Sequence, residues 1–484
     1  MDVGRWALIA GFPIFVLVAT ANGAGYRYGT SDQAFYIPSV VRALDPAAFP
    51  RDASLIDSQG RLMVADEVIA AIVRATGAPP DVLFFAAYVT SLLVIWLALT
   101  AIGRHLYASP WLTVALAAAF TLRHQIPRTS ANSFEPYFHP RMLAFGIGAM
   151  AIAAVLRRNM WLAVAFVGLS VLVHATTALW FAVIVGVAIV RLEPAFRTLA
   201  VGAVVAAAAF LAWAGLSGPL RDSFATMDAA WLAAVAGKDS LFASNWPVWA
   251  WVMNLALIVV AWFTYRVRQR TEPELSALIW GAAALVGIFL ATFPLVQAKL
   301  AFLVQLQISR VFWLVDFVAV LCVLGLARQQ RSAKIVAALM VTVAVGRGVY
   351  VMAVEHPERP LLAIHLPASE WQDAMQWIKA QPAKSHVLAD PGHGWKYGTS
   401  VRVSAERDVF LEEVKDSAIA IYARDVALRY NDRATAIGDF NELSVERAAE
   451  LAARYDLDYL VAETDLPLRL AYRNARFKVY SLTP

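Results

Sequence analysis

Tyr26-Arg27-Tyr28-Gly29-Thr30-Ser31-Asp32-Gln33-Ala34-Phe35-Tyr36-Ile37-Pro38 opens the first long polar segment of the chain, directly after its first apolar run. How this stretch is read decides the fold, because it asks whether the preceding run crosses a membrane. Aromatic side chains at this density suit a membrane–water interface. They surround one carboxylate, Asp32, about ten residues beyond the expected end of the first helix.

Composition answers the question. The 484 residues are 60% hydrophobic and only 16% charged, with 16 Trp, a balance too apolar for a soluble globule of this length. An integral membrane protein is expected. The net charge of +5 is ordinary for a chain whose cytoplasmic loops hold Lys and Arg, so no nucleic-acid partner is implied. The single cysteine, Cys322, lies inside an apolar run and allows no intrachain disulfide. The N-terminal run, ending near Ala21, reads as an uncleaved first helix because further spans follow it.

Working outward, apolar runs near 5–22, 81–103, 110–122, 140–156, 160–173, 175–190, 198–216, 247–264, 275–293, 311–327 and 335–353 predict about 11 spans. The run at 110–122 is short, and 160–190 reads equally as one long helix broken near His174. With a cytoplasmic N-terminus, the inner connections carry Arg5; Arg104; Arg157 and Arg158; Arg191 and Arg197; Arg266, Arg268 and Arg270; and Arg328, Arg331 and Lys334. The 23–80 loop, the 123–139 turn, the 217–246 loop, the 294–310 connection and the tail then share the outer side. The division is 1–353 for the transmembrane domain and 354–484 for a soluble domain.

The first outer loop carries helical periodicity at Gln33–Leu44 and again at Leu62–Ala75, which predicts two interfacial helices joined by Pro-rich turn chemistry at 44–52. The tail predicts a small α/β domain. A helix is expected at Trp371–Ala380 and another from Ser444 to Arg454 with Ser444 as N-cap; strands are expected at His386–Ala389, Val401–Val403, Asp458–Ala462 and Phe477–Ser481.

Asp32 reads in two ways: a partly desolvated general base for a hydroxyl nucleophile, or a cap, shared with Ser31, on the Gln33 helix. Asp45, Asp52 and Asp57 share its loop, and Asp52 or Glu135 is the candidate second acid, unless these are simply structural or solvated acids. The turn from Arg123 to Arg141 holds Arg123, His124, Arg128, Glu135, His139 and Arg141, and ends at Pro140, a favoured first helical position. Arg128, His139 and Arg141 beside a helix start suit a phosphate; as interfacial anchors they would instead reach to headgroups. His174, Lys299 and Arg310 are further candidates for a lipid phosphate, each with a structural alternative, and Arg347 and Asp316 draw notice as charges near or within spans. No Walker loop, GxGxxG, His-Glu-x-x-His, GxSxG or paired CxxC is present, which leaves nucleotide hydrolysis, zinc proteolysis and serine hydrolysis without their usual parts.

Ser31-Asp32-Gln33…Tyr36…Pro38 in the first outer loop, the turn His139-Pro140-Arg141, the basic inner loops and a C-terminal domain opening with Trp371…Trp377-Ile378 together resemble the GT-C superfamily of membrane glycosyltransferases, and within it a bacterial group. The resemblance implies a GT-C-like polytopic fold in the inner membrane. It also implies a sugar donor carried on a polyprenyl phosphate, surrounding membrane lipids, an acceptor of unspecified kind, and Asp32 activating that acceptor on the extracytoplasmic face. The adjacent acid pair of metal-dependent members is not evident, since Ser31-Asp32-Gln33 offers one acid and Ser58-Gln59 follows Asp57; no cofactor is expected, and a divalent metal has no support. A transporter or flippase of a lipid-linked saccharide, and a non-catalytic scaffold in envelope assembly, remain the alternatives.

Overall fold

The computed structural model describes every residue except 1–2, 61–63, 123–124, 219, 270, 328–329 and 484. Arg123 and His124 of the basic turn, Leu62 at the expected start of the second interfacial helix, and Arg270 and Arg328 of the inner loops lie outside the described residues. The chain divides into two compact units, Met1–Tyr26, Ala87–Met227 and Lys238–Leu361 forming the first and Arg27–Ala86, Asp228–Gly237 and Leu362–Pro484 the second. A single cut after residue 353 would place the first loop with the apolar part; the compact units group it with the tail.

The first unit is built from apolar helices. Several begin with Pro at a first helical position, Pro110, Pro140 and Pro273 among them, where the missing amide costs nothing because that N–H has no intrahelical partner. Among the described residues seven helices are long and apolar enough to cross a membrane: Pro80–Tyr107, Ala175–Leu192, Pro194–Leu216, Val248–Arg268, Pro273–Gln297, Ala301–Gly325 and Arg331–Glu355. The chain is therefore a multi-pass membrane protein. The first helix runs Val3–Asn22, and Pro110–Thr121, Pro140–Leu156 and Met160–Val173 are shorter apolar helices. At 1.5 Å per residue Pro110–Thr121 is about 18 Å long, against a hydrocarbon core of about 30 Å. The expected runs are all helical, and seven of them reach spanning length among the described residues.

Burial separates centre from periphery. Only 6% of the most apolar window of Pro194–Leu216 is buried, with Val201, Val204, Val205 and Leu216 facing outward, whereas 78% of that of Ala301–Gly325 is enclosed, with Phe312, Trp313, Leu314 and Phe317 inside. A helix apolar on all sides and exposed in the protein is one solvated by lipid. The 160–192 region resolves into two helices, Met160–Val173 and Ala175–Leu192, joined at His174.

In the second unit Gln33–Leu44 is a helix with the bounds its periodicity predicts. The second amphipathic element is Ala65–Thr76, and between them lies a helix, Ala53–Gly60, where only a turn had been legible as far as residue 52. The tail is built around a five-stranded sheet: β1 His386–Leu388, β2 Asp408–Val409, β3 Tyr459–Ala462, β4 Leu470–Arg473 and β5 Lys478–Ser481. Their order is β2-β1-β3-β5-β4; the first three run parallel and the last two pair antiparallel. Strand alternation feeds two cores. Val387, Val461 and Val479 pack with Trp371, Met375 and Ile378, while Leu388, Leu460 and Tyr480 pack with Phe410 and Leu451.

Three expected tail strands hold, but Val401–Val403 does not. Residues Val401–Ser404 form a helical turn capped by Ser400, whose Oγ accepts from the Arg402 amide at 3.1 Å. The β-branched alternation suits a strand, yet Arg402 is fully buried and held by carboxylates, and that tertiary demand overrides propensity.

Candidate functional site

In the first unit the helices Pro140–Leu156 and Ala175–Leu192 begin beside one another, and a histidine caps each. His139 Nδ1 accepts from the Arg141 amide at 3.0 Å, and His174 Nδ1 accepts from the Thr177 amide at 3.3 Å. A ring nitrogen that accepts an amide proton carries none of its own, so Nδ1 of each ring is unprotonated. The two rings lie 6.1 Å apart, centroid to centroid.

Arg141 and Arg310 complete this cluster. Both arginines and His139 act electrostatically on half-buried His174. Arg141 donates Nη2 to Glu135 Oε1 at 3.0 Å and Nη1 to the Ser130 carbonyl at 3.2 Å, with its guanidinium 5.9 Å from the centre of the Trp313 ring. Trp313 is fixed in turn by stacking on Phe145 at 4.7 Å and by donating to Ser133 Oγ at 3.1 Å. Glu135, offered as a second acid, is buried and also accepts from Asn132 Nδ2 at 3.0 Å; here it orients Arg141. Four cationic or polar side chains and two positive helix ends thus lie together, His139 and Arg141 buried and His174 and Arg310 half-buried, an arrangement that suits an anion.

Not every predicted cation joins them. Arg128 pairs with Asp239 near the surface, 5.8 Å from the Trp249 ring centre. Lys299 sits with Nζ 3.7 Å from the centre of the Phe242 ring. Arg347 approaches the Asn22 carbonyl at 3.4 Å. Each has an anchoring contact of its own.

Asp32 belongs to the second unit. It occupies the N-cap position of Gln33–Leu44, but its side chain makes no capping bond. The capping job at this turn goes elsewhere: buried Gln33 reaches back, its Oε1 accepting from the Gly29 amide at 2.7 Å. Gly29 has φ of +82°, and a Cβ there would meet Leu366 Cδ2 at 2.7 Å, so glycine is needed on both counts. The Asp32 carboxylate, partly exposed, accepts from Lys415 Nζ at 2.7 Å. Lys415 also reaches Ser31 Oγ at 3.3 Å and lies 5.4 Å and 6.0 Å from the centres of the Phe35 and Trp395 rings. Trp395 is 66% exposed, unusual for so large an aromatic.

The other loop acids are committed. Asp45 accepts from the Ala47 amide in a turn, and Asp57 forms a two-pronged pair with Arg42 at 2.8 and 2.9 Å. Asp52, the other candidate second acid, is fully buried: Oδ2 accepts from Arg402 Nε at 2.7 Å and from the Val409 amide at 3.1 Å, and Oδ1 pairs with Arg429. Burial pushes its carboxyl up, but Arg402, Arg429 and Arg433 overcome that and hold it well below the usual carboxylate range. A carboxylate so enclosed is a structural ion, not a proton acceptor for a substrate.

Lys415 and Trp395 are the site residues that sequence reasoning missed. Lys415 is 383 positions from Asp32, and nothing local to either marks the pair. Among the described residues no group of three or more His, Cys, Asp or Glu gathers as a metal site would.

No family model and no curated protein matches the sequence. Among solved structures, the oligosaccharyltransferase of Archaeoglobus fulgidus in complex with Zn and sulfate aligns with 93% of this chain and 67% of its own, at 15% identity and a TM-score of 0.43. The apo form of that protein aligns with 95% of this chain and 70% of its own, at 12% identity and a TM-score of 0.33. Both are archaeal, and neither speaks for the narrower bacterial resemblance.

Proposed function

We propose that the protein is a membrane glycosyltransferase that moves a sugar from a polyprenyl-phosphate-linked donor to an acceptor hydroxyl on the extracytoplasmic face of the bacterial inner membrane. One observation supports this: His139, Arg141, His174 and Arg310 gather at the starts of apolar helices, His139 and Arg141 buried and His174 and Arg310 half-buried. An anion held there is best matched by a phosphate that arrives on a lipid. In the reaction the acceptor oxygen bonds to the anomeric carbon as the bond from that carbon to the phosphate oxygen breaks. The bonding pair leaves with the phosphate, and the acceptor proton passes to Asp32 as general base. Charge that grows on the departing phosphate is what the two arginines and the positive helix starts would stabilise. Lys415 holds the Asp32 carboxylate in place.

The purified full-length protein, given a panel of polyprenyl-phosphate sugars and candidate acceptors, is expected to form a glycosylated product. Asp32→Asn is expected to lower the rate by about 10²–10⁴-fold with the thermal unfolding midpoint unchanged. Full activity in that variant would remove Asp32 from the mechanism, and lipid-linked sugar crossing liposomes with no covalent product would replace the reading with a flippase.

A further inference from the structure

The tail domain holds a crevice that the transfer reaction does not use. Strands β1 and β3 are parallel neighbours, Val387 opposite Tyr459 and Leu388 opposite Leu460. The chain that leaves β1 goes to β2 on one side, and the chain that leaves β3 goes to β4 and β5 on the other. Where outgoing connections part in this way, the carboxyl ends of the strands are left uncovered, and open α/β sheets hold ligands at that point. A cavity of about 400 Å³ lies there. Its polar lining is Asp390 just past β1, Glu463 and Thr464 just past β3, and Lys396, Tyr397 and Asn441 from the connections.

The charges in this lining cancel in pairs. Asp390 pairs with Lys396, and its Oδ1 accepts from the Gly392 amide at 2.7 Å. Glu463 Oε1 accepts from Arg476 Nη2 at 2.9 Å and Nε at 3.2 Å, and its carboxylate also bonds the Tyr397 hydroxyl. No positive charge is left over for a phosphate or nucleotide. What the crevice presents instead is carboxylate and amide oxygens with lone pairs to spare, next to an apolar floor of Leu460, Ala462 and half-exposed Phe440. A sugar ring offers the complement, hydroxyls along its edge and C–H bonds on its face. The volume, near the small end for ligand pockets, suits a mono- or disaccharide.

We infer that the crevice between the carboxyl ends of β1 and β3 is a binding site for a neutral saccharide. It does not depend on the transfer reaction or on Asp32. The test uses the full-length protein in detergent, screened on an array of neutral, acidic and phosphorylated glycans and then titrated with the best neutral disaccharide. Exposed Glu463 and Asn441 supply the variants, Glu463→Gln and Asn441→Ala, each expected to weaken binding about tenfold. Asp32→Asn is expected to bind as the parent does, which keeps the outcome separate from that of the transfer assay. Binding confined to phosphorylated glycans, no binding to any neutral glycan, or unchanged affinity in both crevice variants overturns the assignment.

Discussion

Two clusters of charge, one in each unit, use similar residues to opposite ends. Around Asp52 each acid meets a base. Arg402 spans Asp52 and Asp416, with Nε 2.7 Å from Asp52 Oδ2 and Nη1 2.6 Å from Asp416 Oδ1, and Arg429 takes the other Asp52 oxygen. The nearby buried histidine is closed in the same way: His393 Nδ1 donates to the Asp390 carbonyl at 2.7 Å, and Nε2 accepts from the Val401 amide at 3.2 Å. His139 and His174 in the first unit spend Nδ1 on a helix cap where two arginines converge. The difference teaches that a buried cluster whose acids and bases match is suited to holding a fold, whereas positive charge gathered at helix starts is suited to an anion.

The sharpest way to break the comparison is to unbalance the matched cluster. Asp52→Asn leaves Arg402 and Arg429 with a charge deficit in a buried place, and is expected to destabilise the second unit by about 3–5 kcal/mol. Thermal unfolding of the full-length protein in detergent, with limited proteolysis of the tail, reads the loss. A variant as stable as the parent would mean that the network is not what holds the first loop and tail together within this unit.

The complementary change in the donor cluster is expected to behave differently. Asn is a good helix cap, so in His139→Asn and His174→Asn an amide oxygen takes over from Nδ1 as acceptor of the helix amide while the imidazole is removed. Each is expected to shift stability by less than about 1 kcal/mol and to raise the KM for a polyprenyl-phosphate sugar about tenfold. Should either variant instead lose stability on the scale of Asp52→Asn, the two clusters would be alike and the anion site would lose its support.

Much of this was readable from the chain, for definite reasons. The helix Gln33–Leu44 was bounded correctly because its apolar positions recur at helical spacing and Asp45-Pro46 stops it. The break at His174 was visible as a polar residue between two apolar runs. The number of spans is harder to read, since a run of 12 apolar residues such as Pro110–Thr121 reads alike whether it crosses a bilayer or packs inside other helices. The helix at Val401–Ser404 was hidden because its reason is distant: Arg402 turns inward toward Asp52, 350 positions away. The cap reading of Asp32 failed for a similar cause, as the chain supplies Lys415 from its far end. Local pattern reports what a segment prefers, and the charge partners that override preference are set by the fold.

The smallest expected effect tests how well matched the Asp52 cluster is. Asp408 is fully buried against it, with Oδ1 accepting from the Asp52 amide at 3.0 Å and Oδ2 from the Arg51 amide at 3.1 Å. Burial, and then the negative charge of Asp52, push its carboxyl up to about 6, while the two amides oppose them. Because the folded value lies above the unfolded value of 3.8, the folded state holds its proton more tightly. Its contribution is therefore fully present below pH 4 and is lost as the pH rises through 6. Asp52 has the opposite sign, its folded value lying below the unfolded one, so its contribution is lost only as the pH falls below about 4. Asp408→Asn removes the first slope and leaves the second. The parent should lose on the order of 1 kcal/mol relative to the variant between pH 4 and pH 7. Turning an amide –NH₂ toward one backbone N–H adds a loss to the variant that does not change with pH. Parallel stability curves for parent and variant across that window would show that Asp408 is already ionised in the fold, its charge matched as fully as that of Asp52.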